Sequence, residues 1–149
     1  MLRIGGAGTV GIAGIYLGED HTLVSNVFVN LTGIGTKTPL FITGLGAGAE
    51  DGSDCVISDA TVLSNASGTT LSKSTSGSPR TTFSNCKFLA GTQALQIGGI
   101  ESVVSNCTFS DQTGASPALT VAGGANESFA TGCSVNGVPG DGISLSSKD

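Results

Sequence analysis

The chain has no tryptophan, and tyrosine, histidine and methionine occur once each. Charged residues make up only 11% of its 149 positions, six Lys and Arg against eleven Asp and Glu. Each shortage removes a class of function. With a formal charge of −5 and its few cations scattered, the surface repels phosphates and anionic headgroups, so nucleic acid and membrane surfaces are not expected partners. With His21 as the sole imidazole, a mixed Cys/His metal centre lacks its fourth ligand. Lacking Trp, and with a single Tyr, a sugar-binding cleft has no aromatic platforms. No apolar run is long enough to cross a bilayer, and Met1-Leu2-Arg3-Ile4 leads into Gly5-Gly6-Ala7-Gly8 rather than into the core of a secretion signal, so the expectation is either synthesis in a cytosol or a fragment of a longer chain. No cofactor is expected.

What is present is glycine, 24 residues, and an apolar fraction of 38%. That is too much apolar surface and too little charge for a disordered chain, and it reads as short strands joined by many turns in one domain spanning 1–149. A five-residue pattern organises the chain. Ser84-Asn85-Cys86-Lys87-Phe88 returns as Ser105-Asn106-Cys107-Thr108-Phe109 and more loosely as Thr131-Gly132-Cys133-Ser134-Val135. The same frame fits Ser58-Asp59-Ala60-Thr61-Val62 and Ser25-Asn26-Val27-Phe28-Val29. Between these copies run Ile15-Tyr16-Leu17, Leu40-Phe41-Ile42, Leu71 alone, Leu95-Gln96-Ile97, Leu119-Thr120-Val121 and Ile143-Ser144-Leu145. The starts 71, 95, 119 and 143 are 24 residues apart, so one structural unit is stacked upon itself.

Within a unit, apolar residues alternate with polar or small ones over three to five positions, the pattern of a short strand with one buried face. The unit holding Leu95 has three such strands, Leu95 to Ile97, Ser102 to Val104 and Cys107 to Phe109. Its tightest corner is Ser105-Asn106, and Asn26, Asp59, Asn85, Asn106 and Gly132 are the residue types that a left-handed corner accepts. Rung length, three short strands and the asparagine-type corner resemble the right-handed parallel β-helix of the pectate-lyase-like superfamily and of phage tailspikes. The fold class expected is therefore all-β, a single-stranded right-handed parallel β-helix of about six coils of roughly 24 residues. The resemblance covers residues 2 to 145 and is one of fold, with no catalytic motif matched.

The register assigns the rows. The first strand points Ile15/Leu17, Leu40/Ile42, Leu71, Leu95/Ile97, Leu119/Val121 and Ile143/Leu145 inward. The second contributes Val24, Ile57, Phe83, Val104 and Phe129. The third contributes Val27/Val29, Ala60/Val62, Cys86/Phe88, Cys107/Phe109 and Cys133/Val135, with Leu2 and Ile4 as the third strand of a preceding partial coil. Gly44 to Asp54 and Leu71 to Thr81 interrupt the period and are expected as side loops. Cys86, Cys107 and Cys133 share one repeat position about 4.8 Å apart, with parallel Cβ bonds unsuited to a disulfide, and read as reduced core residues.

Carboxylates gather at the first corner: Glu19, Asp20, Glu50, Asp51, Asp54, Glu101 and Glu127. Calcium binding or an acid/base pair would need such a cluster, but a solvated solenoid also places its charges at corners, and no motif adds specificity. A lyase would also need a base, for which only Arg80 and Lys87 are suitable. No metal or catalytic site is assigned. Gly44-Leu45-Gly46-Ala47-Gly48 lacks the Lys-Ser/Thr of a phosphate-binding loop and reads as a turn. The sequons at Asn30, Asn65, Asn106 and Asn126 are expected by chance in so Ser/Thr-rich a chain. An ice-binding face would need outward Thr pairs in register, whereas the outward first-strand row is read as Tyr16, Phe41, Ser72, Gln96, Thr120 and Ser144.

Outward apolar residues carry more. Tyr16, Leu23, Phe28, Phe41, Val56 and Val103 all fall on outward positions and are the interface candidates, since aromatic and aliphatic groups there suit an interface core. The first strand starts within two residues of Met1 and the last ends at Leu145, with no capping helix in the pattern, so protection inside an assembly is expected. Resemblance to viral β-helices implies a non-enzymatic virion component, a homotrimeric decoration or cement protein on a phage capsid. Its partners would then be itself and a capsid or other virion protein. The alternative is a tailspike module that binds or cleaves surface polysaccharide.

Overall fold

The computed structural model describes residues 2–7, 13–17, 20–32, 38–42, 53–64, 70–74, 78–122, 124 and 126–145, with the backbone alone at 2–7, 13, 14, 16, 31, 32 and 38–42. All described regular structure is β, in three parallel sheets. Sheet A takes β1 (Leu2–Ala7), β4 (Val27–Thr32), β7 (Thr61–Ser64), β10 (Lys87–Ala90), β13 (Thr108–Ser110) and β16 (Ser134–Asn136) in that order. Sheet B takes β2 (Ala13–Leu17), β5 (Thr38–Ile42), β8 (Thr70–Ser74), β11 (Gln93–Ile97), β14 (Leu119–Val121) and β17 (Ile143–Leu145). Sheet C takes β3 (Leu23–Ser25), β6 (Val56–Ser58), β9 (Thr82–Ser84), β12 (Val103–Ser105) and β15 (Phe129–Thr131). The chain visits B, C and A in turn and each strand pairs with its equivalent one coil later, the connectivity of a parallel β-helix.

Left-handed residues make the corners. Asn26, Asp59, Asn85, Asn106 and Gly132 lie between sheets C and A with φ of 52, 52, 54, 52 and 62°. Each of the first four donates its backbone N–H to the residue ending the next coil's sheet C strand: Ser58, Ser84, Ser105 and Thr131, at 3.3, 3.1, 3.0 and 2.9 Å. The corner therefore continues the ladder instead of interrupting it. Five residues earlier in every coil stands a second left-handed set, His21, Asp54, Arg80, Glu101 and Glu127, at φ of 54 to 60°. Five residues later Ala90, Asp111 and Gly137 form a third. A non-glycine residue in this region costs about 1–2 kcal/mol, and the recovered backbone hydrogen bonds offset it.

The core is the interior of the coil. Val29, Val62, Phe88 and Phe109 stack along sheet A, Ile57, Phe83 and Val104 along sheet C, and Leu95, Ile97, Leu119 and Val121 along sheet B, all buried. Phe88 lies over Phe109 with ring centroids 5.5 Å apart and planes 17° apart, and Phe83 meets Phe88 edge-on at 6.1 Å.

Two inward rows differ from the sequence reading. Ser72, read as outward, pairs with Leu40 and Leu95 and is fully buried, while Lys73 takes the outward slot opposite Phe41 and Gln96. Residues 70–74 are thus a strand, not the start of a loop, and Leu71 stands one position before the row assigned to it. Ser72 and Ser74 occupy places held by Leu95 and Ile97 one coil on. Leu71 of the same strand and Phe83 and Phe88 of the same coil are all fully buried.

Phe129 is the second correction. It pairs with Val103 and faces outward at 54% exposure, and Ala130 takes the inward slot beside Val104. The preceding left-handed corner sets this register: the inward residue is three after the corner in both coils, Glu101 to Val104 and Glu127 to Ala130. A slip of one residue reverses the face. Ile143 and Leu145 hold their predicted positions opposite Leu119 and Val121 but are exposed. The Gly44 to Gly48 run, Asn65, and all but Asp54 of the Gly44 to Asp54 interruption except Ser53 lie outside the described residues.

Candidate functional site

The outer face of sheet C carries an apolar row. Its first outward row runs Leu23, Val56, Thr82, Val103, Phe129 in continuous register. Leu23 is 67% exposed and Phe129 54%. The second outward row runs Ser25, Ser58, Ser84, Ser105, Thr131, a hydroxyl on every coil. None of these ten positions carries a charge, whereas sheets A and B place Lys87 and Lys73 on their outer faces. The face combines an apolar row, a hydroxyl row and polar corners on both sides, the cross-section of an interface core with its rim.

The corner flanking the apolar row carries mixed charge. Asp54 accepts two hydrogen bonds from Arg80, from Nε at 2.7 Å and Nη2 at 3.0 Å, and His21 Nδ1 lies 3.7 Å from Asp54 Oδ2. The Arg80 hydrogen bonds hold the Asp54 carboxyl below its usual range, against a smaller opposing effect of burial. Asp20 is engaged too, its Oδ1 accepting the Ser53 N–H at 2.8 Å. Of the seven carboxylates read as one cluster, Asp54, Glu101 and Glu127 stand in one column of corners, Glu101 and Glu127 on adjacent coils and Arg80 on the coil between Asp54 and Glu101. Glu19, Glu50 and Asp51 lie outside the described residues. Among the described residues no three His, Cys, Asp or Glu side chains converge as a metal site. The fivefold recurrence of this corner was legible as a constant offset of five residues from the asparagine-type corner, which carboxylate type alone does not reveal.

Compared with family models, residues 45–149 match the right-handed beta helix region. The chain belongs to the right-handed β-helix family. Comparison with curated proteins and with solved structures returns no match. Membership of the right-handed β-helix family fixes the architecture and its hand and assigns no activity.

This right-handed β-helix distributes the six interface candidates over three faces. Leu23, Val56 and Val103 share sheet C. Phe28 is half-buried on sheet A, in the outward row with Thr61, Lys87, Thr108 and Ser134. Tyr16 and Phe41 are paired neighbours on sheet B, and their side chains lie outside the described residues. The six therefore do not form one patch. Sequence reasoning missed Phe129 as a member of the sheet C row because its hydrophobicity suggested core.

Inside the right-handed β-helix the cysteines stack as one column. Cys86 and Cys107 are buried, Cys133 is half-buried, and all three are free thiols, as is buried Cys55 on a different corner. In each of the three, Sγ lies against the carbonyl two residues earlier: Ser84 at 3.3 Å, Ser105 at 3.3 Å and Thr131 at 3.5 Å. Each also approaches a carbonyl of the preceding coil, Ile57 at 3.6 Å, Phe83 at 3.8 Å and Val104 at 3.8 Å. Its hydrogen bond with Cys86 and then burial push the Cys107 thiol far up, and burial pushes Cys55 up. Such thiols are poor nucleophiles.

Proposed function

We propose that this β-helix is a non-enzymatic structural protein of a virion, a decoration or cement protein that assembles with copies of itself on a phage capsid and stabilises the particle. The observation that carries it is the uncharged outer face of sheet C, with Leu23 and Phe129 exposed at its two ends. A chain of net charge −5 that keeps one sheet face free of charge has a surface on which copies can meet without mutual repulsion. Five strands at about 4.8 Å and three residues at about 3.3 Å give roughly 240 Å². That is far below the ~800 Å² per partner of a stable free-standing pair. A copy using this face needs further contacts, which a threefold arrangement and an underlying capsid lattice supply. The phage setting rests on resemblance to viral β-helices.

Solution mass and head binding test the proposal. A trimer that binds phage heads and raises their disruption temperature is expected; a monomer that does neither overturns it. A second reading, a tailspike module acting on polysaccharide, draws on Glu101 and Glu127, exposed on adjacent coils of one corner. It requires release of reducing ends or unsaturated sugars from host polysaccharide that Glu101→Gln or Glu127→Gln abolishes.

A further inference from the structure

The apolar row on the outer face of sheet C has the same character from either end. Leu23, Val56, Thr82, Val103 and Phe129 place a large exposed side chain at each end and three β-branched ones between, with a valine on either side of the central threonine. The hydroxyl row beside it shares the property, with Ser84 at its centre and Ser25 and Thr131 at its ends. A surface ordered in this way is complementary to itself turned end over end. The operator is a two-fold axis in the plane of contact, running along the strand through Thr82. It reverses the order of the coils, keeps the strand direction, and sets apolar row on apolar row and hydroxyl row on hydroxyl row. A two-fold along the axis of the β-helix, at full overlap, would instead reverse the strands and set the apolar row against hydroxyls. Sheets that pack face to face with their strands aligned lie about 10 Å apart, which the first operator permits.

We infer that the outer face of sheet C is a two-fold docking surface for a second copy of this chain lying antiparallel, with Leu23 against the second copy's Phe129, Val56 against its Val103 and Thr82 against its Thr82. The inference rests on the reading of sheet C as the face where copies meet and adds the operator. Two chains of net charge −5 repel, and none of the ten outward positions on this face adds to that repulsion. At the flanking corner the operator brings His21 opposite Glu127 of the second copy. It also brings Asp54 opposite Glu101 and Arg80 opposite its own copy, so that each of these carboxylates has an Arg80 diagonal to it. Charges at exposed corners contribute little, so the uncharged face and not its rim selects the operator. An isologous contact of this kind closes at two copies and does not propagate. The face covers only about 240 Å², too little to hold a free pair together, so the pair is weak in solution and joins copies that other contacts already assemble.

The test is trapping with a short bis-maleimide at high protein concentration, the products separated by mass under denaturing conditions. Every chain used also carries Cys133→Ser, since the native thiol there is half-buried. Thr82→Cys lies at the axis and is expected to link to its own copy. Leu23→Cys and Phe129→Cys each stand about 19 Å or more from their own copies, four coils along. Each alone should therefore stay unlinked, whereas an equimolar mixture of the two should give the mixed dimer. Both positions are exposed and outside the core, and far-ultraviolet dichroism checks that the fold is unchanged. Self-linking of Leu23→Cys as strong as the mixed product would overturn the two-fold while keeping copies in contact through sheet C, their axes running the same way. No linking at any of the three positions would overturn the two-fold and the reading of sheet C together.

Discussion

Ser72 is a single residue whose burial has no polar compensation. Its hydroxyl is fully buried and has no hydrogen-bond partner, in a place where neighbouring coils hold leucine. An unsatisfied buried hydroxyl costs about 1–3 kcal/mol, so Ser72→Ala should stabilise the fold by about 1 kcal/mol, read as a higher denaturation midpoint at unchanged slope. Ser72→Leu should do the reverse by about 1–3 kcal/mol, because it adds side-chain volume at a position that is already fully buried in a close-packed interior. Equal midpoints for both variants would show that this coil is not close-packed. Asp54 acts through charge instead. Its folded carboxyl is held below the usual value by Arg80, so its contribution is present above the ordinary aspartate range and disappears as pH falls through the lowered value. Both partners are a third or more exposed, so the contribution stays under ~1 kcal/mol. Asp54→Asn should lower Tm slightly at neutral pH, and the difference from wild type should vanish as pH falls through the lowered value.

At the scale of the element, the corner decides more than the strand. Gly132 sits at φ 62°, and a Cβ added there would stand 2.3 Å from Asn106 Oδ1. Its counterparts tolerate a Cβ because their side chains are the ladder: Asn85 Nδ2 reaches Asp59 Oδ1 at 3.5 Å. Gly132→Val should therefore cost about 1–2 kcal/mol or more in unfolding free energy, while Gly132→Asn, whose amide joins the column, should cost distinctly less. Equal losses would mean that the column contributes nothing beyond backbone geometry. Strand type, parallel stacking and the Ser-Asn-Cys frame were legible because five in-register copies repeat them. The face of Phe129 and the strand at 70–74 were not, because hydrophobicity was read without the corner that sets register. Leu71 stands one position from the row assigned to it and is still fully buried, beside buried Ser72, whereas Phe129, also one position off, is exposed. In a strand that alternates strictly, one position is the whole difference between core and surface.

For the whole molecule, the three sheets present three unequal faces, and only one of them combines apolar rows with freedom from charge. If association runs through sheet C, an inserted charge there must be buried against a neighbour, whereas the same charge on sheet A stays in water. Leu23→Asp and Phe129→Asp replace exposed groups that the fold does not need for its core, so the monomer should fold normally in both. Each should shift the oligomer towards monomer by at least ~10-fold in dissociation constant, since an unpaired charge desolvated at an interface costs well over the 1.4 kcal/mol that a factor of ten represents. Phe28→Asp, half-buried in the outer row of sheet A, is the comparison. It should leave the mass in solution unchanged. If Phe28→Asp dissociates the assembly and the two sheet C variants do not, the contact lies on sheet A and the reading of the uncharged face is wrong. Sedimentation of the three variants over a concentration series distinguishes these outcomes, and binding of each to phage heads then shows whether the same face or another meets the particle.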